Sequence, residues 1–183
     1  MEKETVIIKK LKVENAEEVV FVKKVYTEAF PEGERRDMED MLRLYTLNEG
    51  FTILVIISDN GQLVGFLTYW DLGDFVYAEH FAISSEFRNG GYGKRVMEGF
   101  LAQISHPIVI EVEPPTTEIA MRRIQFYTRL GFILWENLGY CQPPYRIGEQ
   151  ALAMDLMTWG EIDIAKNFQK ITENIYQNVY KVR

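Results

Sequence analysis

Cysteine and histidine are nearly missing from this 183-residue chain, which holds one cysteine, Cys141, and two histidines, His80 and His106. A single thiol excludes an intrachain disulfide, and so few soft or imidazole ligands leave no zinc-type set, so no metal is expected. A chain without disulfides fits a reducing compartment. The start, MEKETVIIKKLKVENAEE, is charged from its second residue and has neither the apolar stretch nor the small-residue cleavage site of a signal peptide, so a cytoplasmic protein is expected. Long hydrophobic runs are missing too. The longest, from Ile53 to Ile57, falls far short of the roughly 20 residues that a membrane helix needs, and no membrane association is expected. Positive charge is in deficit: 20 Lys and Arg stand against 27 Asp and Glu, a formal charge of −7. That balance argues against nucleic acid as a partner, because such affinity comes from neutralising phosphates over a broad basic surface. There is no internal repeat and no low-complexity tract.

What is present is ordinary globular composition, 47% hydrophobic, 13% aromatic and 26% charged. A chain of this length buries about two-thirds of the surface its unfolded form exposes and can hold a core unaided. One domain over residues 1–160 is expected, followed by an extension over 161–183. Residues 6–12 alternate weakly and read as a strand. Asn15 can cap a helix whose apolar positions Val19, Val22, Val25, Tyr26 and Phe30 recur at three and four and which stops near Pro31. A second helical pattern runs through Met38, Met41, Leu42 and Tyr45. Two strand-like runs, 51–58 and 63–70, flank Asp59-Asn60-Gly61, an Asn-Gly hairpin signal. Residues 75–83 read as a strand, 92–103 as a helix, 108–113 as a strand, and 118–130 as a helix closed by Gly131. Closing strands over 132–135 and 150–159 enclose an insert at 136–149. The tail from 161 to 180 has a helical rhythm in Ile164, Phe168, Ile171, Ile175 and Val179, so it should pack on the domain or on a second subunit, which makes a homodimer an expectation.

The segment Arg88-Asn89-Gly90-Gly91-Tyr92-Gly93-Lys94 lies between a strand and a helix and is rich in glycine. Glycine adopts left-handed backbone angles and admits close approach to the main chain, while the first turn of a helix leaves amides unpaired at a partly positive end. A pyrophosphate suits such a turn, and Arg88, Lys94 and Arg95 add local positive charge. The plainer alternative is a glycine turn that only caps a helix. The spacing fits neither a P-loop nor a Rossmann fingerprint.

On these residues the sequence resembles the GCN5-related N-acetyltransferase (GNAT) superfamily. Phe81 to Leu101, FAISSEFRNGGYGKRVMEGFL, carries Arg88, Gly91 and Gly93 at the RxxGxG positions of the acetyl-CoA pyrophosphate loop, and Phe126 to Phe132, FYTRLGF, matches a second block of the family. The likeness runs from about residue 6 to 157. It implies an α/β fold of the α+β type, a mixed and mostly antiparallel central sheet flanked by helices, with an extra C-terminal helix. It implies an acetyl-CoA-dependent N-acetyltransferase, with acetyl-CoA as co-substrate and an amine acceptor as partner. Main-chain groups of Phe81, Ala82 and Ile83 would hold the pantetheine arm, the amides of Arg88, Asn89, Gly90, Gly91, Tyr92, Gly93 and Lys94 the pyrophosphate, and Tyr127 would protonate the departing thiolate. A phenol that is protonated at neutral pH can play that part. Where relatives often carry an asparagine early in the helix before this tyrosine, the chain has Thr116, Thr117 and Glu118.

Acetyl transfer to an amine needs a proton acceptor. Period-two alternation places Tyr77, Glu79, Phe81 and Ile83 on one face of their strand, with His80 opposite, and Glu111 with Glu113 on one face of the next. Glu79 is the first candidate base, with Glu111 and Glu113 beside it; the alternative is that all three only solvate strand ends. His80 and His106 read as structural. The aromatic insert holding Tyr140, Cys141, Pro143, Pro144 and Tyr145 suits a wall of the acceptor site, a subunit contact or a packed loop. Acidic strand residues and aromatic walls point to a cationic primary amine such as a polyamine, an aminoglycoside or a lysine-like group. The competing reading is an acyl-CoA-binding sensor or a non-catalytic interaction protein on the same fold.

Overall fold

A computed structural model describes residues 5–182 as nine strands and five α-helices with short 3-10 and π segments. Backbone proximity divides the chain into two compact units. The first comprises the chain up to Tyr69 together with Glu79–Ser105, and the second Trp70–Ala78 together with the chain from His106 onward.

In the first unit, β1 (Val6–Lys10), β2 (Phe51–Ser58), β3 (Leu63–Asp71) and β4 (Val76–Ile83) are neighbours in that order, with the end of β3 and the start of β4 belonging to the second unit. β1 and β2 are antiparallel, with Val6 opposite Ser58 and Lys10 opposite Leu54. α1 (Ala16–Ala29) begins where expected, because the Asn15 side chain accepts from the amides of Glu17 and Glu18. α2 (Met38–Leu47) buries Met38 and Met41, and α3 (Tyr92–Leu101) buries Val96, Met97, Phe100 and Leu101, one stripe of an amphipathic helix. Ile56, Val64 and Val96 form a buried cluster onto which Ile8, Phe81, Ile83, Phe87 and Tyr92 pack. The β2–β3 turn departs from the two-residue form that Asn-Gly favours. Only Gly61 takes a left-handed φ, +78°, and the Gly61 amide bonds the Ser58 carbonyl while the Ser58 amide bonds the Gln62 carbonyl. The hairpin therefore closes through a longer loop with glycine in the left-handed position.

In the second unit the order is β4, β5 (Ile108–Val112), β9 (Asp155–Trp159), β6 (Ile133–Trp135). β4 runs parallel to β5, with Val76 opposite Ile108 and Tyr77 opposite Val109; β5 with β9 and β6 with β9 are antiparallel. α4 (Glu118–Arg129) is capped by the Thr117 hydroxyl on the Ala120 amide, and Gly131 follows it at φ +91°, a left-handed helix end. One expectation is corrected here. The stretch 150–159 is two strands, because β8 (Leu152–Ala153) pairs with β7 (Cys141–Gln142) inside the insert before β9 begins. The insert is thus tied by its own ladder rather than left as a loop. The tail forms α5 (Ile164–Ile175), capped by Asp163, and then widens into a π turn over Tyr176–Tyr180. Ile164, Ile171, Ile175 and Val179 are buried. Among the described residues no helix is long and apolar enough to cross a membrane.

Candidate functional site

The glycine-rich segment is an open turn. A 3-10 turn (Ser85–Phe87) leads from β4 to residues 88–91, all exposed; Asn89 and Gly91 take left-handed angles, φ +66° and +73°, and Gly91 is the N-cap of α3. The first intrahelical bond runs from the Arg95 amide to the Gly91 carbonyl, so the amides just before it point out of the helix start. The Arg88 Nε donates to the Ile83 carbonyl at 3.3 Å and pins the turn to the end of β4, while the Arg95 guanidinium lies 4.5 Å from the centre of the Tyr92 ring. Exposed amides, a helix N-terminus and arginines make this turn fit a pyrophosphate.

Just past the end of β4 the Ser84 amide bonds the Val64 carbonyl of β3. In an antiparallel pair alternate residues turn their main-chain groups to the partner, so Ala82 faces β3 as Ser84 does, and Phe81 and Ile83 turn theirs to the other edge. The approach at Ala82 is close: a Cβ on Gly65 would lie 2.6 Å from the Ala82 carbonyl oxygen, which is why β3 carries a glycine there. Of the three residues expected to meet a pantetheine arm, Phe81 and Ile83 are therefore oriented for it, and Ala82 is used within the sheet.

Glu79 is sealed in the first unit. Its side chain is 1% exposed and forms an ion pair with Arg36, whose backbone amide donates to the Tyr26 hydroxyl at 2.9 Å. The Arg35 Nε donates to the Phe30 carbonyl at 3.0 Å. His80 Nε2 bonds the Glu34 carbonyl at 2.9 Å, and because a carbonyl only accepts, Nε2 carries the proton. The His80 ring stacks edge-on against Tyr26 and Phe30. The segment between α1 and α2 is thus tied to β4 through Glu34 and Arg36, while Arg35 between them ties it back to the end of α1. His80 does not turn wholly away from Glu79, as strict alternation predicts, for its Nδ1 stands 3.9 Å from Glu79 Oε2. Burial nevertheless dominates and lowers the His80 pKa below its usual 6.5, against the raising effect of Glu79. The sign follows: a group held neutral in the folded chain binds fewer protons than when unfolded, so folding stability falls as pH drops below about 6.5 toward the lowered native value. Thermal melts of wild type and His80→Asn across that window should show a slope that flattens in the variant.

The second unit holds Glu111, Glu113 and Tyr127. Glu113 pairs with Arg123 at 2.6 Å, both partly exposed, and Arg122 pairs with Glu118. Two of the arginines of α4 are therefore paired with carboxylates within their own unit. Glu111 accepts hydrogen bonds from the hydroxyls of Tyr140 and Tyr180. Burial, then the charge of Glu111, pushes both phenols up from their usual pKa. Tyr140 is buried, Tyr145 stacks on Tyr180 at 5.2 Å, and the Tyr176 hydroxyl donates to the Cys141 carbonyl. The aromatic insert is accordingly fastened to the C-terminal turn, a packed role among those expected for it. Sequence reasoning missed Arg36 and Tyr180, since neither sits in a motif and each meets its carboxylate across more than 40 residues of chain. Tyr127 stands between Phe126 and Phe132, with ring centres at 5.1 and 5.3 Å, and burial pushes its hydroxyl up to about 12. Among the described residues no cluster of His, Cys, Asp and Glu could hold a metal ion.

Residues 19–132 match the family model described as Acetyltransferase (GNAT) family. A solved structure described as a GNAT-family acetyltransferase from Bacteroides thetaiotaomicron is 40% identical, covers 97% of this chain and 99% of its own, and superposes with a TM-score of 0.90. The fold is also that of spermidine N-acetyltransferase from Vibrio cholerae, solved in complex with CoA and spermine, at 13% identity over 85% of this chain and 95% of that one with a TM-score of 0.63. Ard1 from Thermoplasma volcanium is similar at 19% identity, 87% and 99% coverage and a TM-score of 0.61. Comparison with curated proteins finds no match.

Proposed function

The chain belongs to the GNAT acetyltransferase family, and from that premise we propose that it moves the acetyl group of acetyl-CoA to a cationic primary amine by direct attack of the amine on the thioester. The observation that carries the donor side is the exposed left-handed turn at Gly91 opening α3. Amides of residues 88–94 would hold the pyrophosphate and main-chain groups of Phe81 and Ile83 the pantetheine arm. Bound acetyl-CoA supplies an acetyl group activated as a thioester. Every other task falls to the protein's own main-chain and side-chain groups.

Tyr127 is the acid. A hydroxyl raised to about 12 stays protonated across the working range and has a proton to give as a thiolate departs. Tyr127→Phe should lower kcat by about 10²-fold, the lower range for one positioned acid, while KM for acetyl-CoA stays within about twofold. An unchanged kcat would remove Tyr127 from this role. The group that takes the amine's proton is sought among Glu79, which is paired with Arg36, Glu113, which is paired with Arg123, and Glu111, which accepts from the hydroxyls of Tyr140 and Tyr180.

Net charge and acidic strand positions support a cationic acceptor, and the Vibrio cholerae relative of the same fold, which acts on spermidine, is consistent with it. Thiol release from acetyl-CoA measured over a panel of polyamines, aminoglycosides, lysine derivatives and anionic amino acids tests the reading. Turnover with the cationic members is expected. Turnover confined to anionic amino acids would overturn the acceptor class, and acetyl-CoA binding with no release on any amine would favour a sensor.

A further inference from the structure

The exposed turn before α3 is folded around one side chain. Tyr92 is the first residue of α3, and its ring has three neighbours in the turn and the helix. Phe87, at the end of the 3-10 turn that leads in, packs edge-on against it, with ring centres 6.0 Å apart and planes at 86°. The Arg95 guanidinium lies 4.5 Å from its centre. The main chain of Gly90 lies against one edge: a Cβ built there would meet Tyr92 Cδ2 at 3.3 Å and Cε2 at 3.4 Å. Phe87 and Tyr92 both pack on the buried cluster of Ile56, Val64 and Val96, so the ring is anchored to β2, to β3 and to α3 itself.

These contacts give Gly90 a different reason from that of the residues beside it. Asn89 and Gly91 take left-handed angles, φ +66° and +73°, whereas Gly90 is not among the residues of positive φ, so a left-handed angle is not what calls for glycine there. What it lacks is room. At 3.3 Å the added carbon is closer than ordinary van der Waals contact, and the ring it meets is held by Phe87 and the core cluster rather than free to swing aside. Gly90 is therefore the complement of Tyr92. Amides of residues 88–94 suit a pyrophosphate only in the directions that the turn gives them, and a turn ordered before its ligand arrives loses less conformational entropy on binding.

We infer that Tyr92 is a positioning residue for the donor: its ring, seated against Gly90 and Phe87, holds the turn in the shape that receives the pyrophosphate. The inference rests on the acetyl-CoA reading above and gives the Tyr92 side chain a task separate from that of its amide. The ring and the amide share one Cα. Fixing the ring against the core thus fixes the backbone angles at the start of α3 and, with them, the directions of the neighbouring N–H groups.

The test measures acetyl-CoA affinity by calorimetry in the full chain, with a melting curve for each variant and hydrogen exchange over residues 87–95. Tyr92→Ala removes the ring and keeps a strong helix former at the start of α3. It should weaken acetyl-CoA binding by about tenfold, the scale of one aromatic pair together with one cation–π contact. Exchange should quicken in the turn while β2, β3 and the rest of α3 keep their protection. Tyr92→Phe, which keeps the ring, should bind acetyl-CoA as the wild type does; a loss as large as that of Tyr92→Ala would move the role to the hydroxyl and overturn the inference. Gly90→Ala is the second variant. It should weaken binding by about threefold in the wild type and add nothing in a Tyr92→Ala background, because the ring it would strike is gone. Additive losses overturn the pairing of Gly90 with Tyr92. Undiminished affinity in a folded Tyr92→Ala protein overturns the positioning role, and so does exchange that quickens equally across the first unit, the mark of general damage. Wild-type protein that binds no acetyl-CoA is a different failure, that of the acetyl-CoA reading itself, and removes the inference with it.

Discussion

Gly91→Val should weaken acetyl-CoA binding by 100-fold or more, the largest effect expected of any single change in the first unit. Two causes act together. Gly91 sits at φ +73°, where a β-branched residue is disfavoured by about 1–2 kcal/mol, and relieving that strain turns the amides at the start of α3 away from their present directions. Each hydrogen bond to a charged phosphate contributes about 1.5–3 kcal/mol, so losing even one or two of them amounts to about 10²-fold or more. Space alone is not the obstacle, since the nearest neighbour of an added Cβ is the Arg95 guanidinium at 3.4 Å, an ordinary contact distance. Gly91→Ala, which bears the left-handed angle less badly than valine, should lose about tenfold by the same reasoning. Calorimetric titration with acetyl-CoA, alongside a melting curve that shows the variant folded, measures both. Undiminished affinity in a folded Gly91→Val protein would mean that this turn does not cradle the pyrophosphate.

The largest stability effect should come from Arg36→Met. Glu79 is nearly sealed from solvent, and removing the Arg36 guanidinium takes away the cation paired with a buried carboxylate, at a cost of about 3–5 kcal/mol. For a chain of this size that is a fall in Tm of about 6–20 °C. The ordering of the segment before α2 should suffer as well, because Arg36 also carries the amide that donates to Tyr26. Arg36→Met with Glu79→Leu should recover most of the loss, since replacing both members of a buried pair by apolar groups is often near neutral. A double-mutant cycle in Tm and denaturant midpoint reads the coupling directly. If Arg36→Met costs no more than an exposed pair would, under about 1 kcal/mol, the pair is not sealed as described.

Both effects separate what is local from what is distant. The turn at 88–94 was readable because its information is contiguous: glycines at the needed positions, a strand before, a helix after. Asn15, Thr117 and Gly131 were readable for the same reason, since a cap depends on one side chain and the amides within three residues of it. The division of β8 from β9 was not, because residues 150–159 hold no Gly, Pro or Asn to mark a break and only the pairing of Leu152 with Gln142 separates the two strands. The face of Ala82 was hidden in the same way, by a register with β3 that nothing within residues 81–83 specifies.

By itself, then, the order of strand and helix patterns, with the resemblance carried by the two short blocks around Gly91 and Tyr127, determined the α/β class, the family and the glycine turn that opens α3, because contiguous motifs act through local backbone geometry. Only the tertiary structure decided the fate of the carboxylates. Glu79, Glu111 and Glu113 are alike in sequence, each a glutamate in a strand-like run, yet one is sealed against Arg36, one is held by phenols from Tyr140 and Tyr180, and one, just past the end of β5, meets Arg123 in the open. Their partners lie between 10 and 69 residues away along the chain. A carboxylate's readiness to take a proton is set by its burial and by the charge of what touches it, and neither is a property of the strand on which it sits.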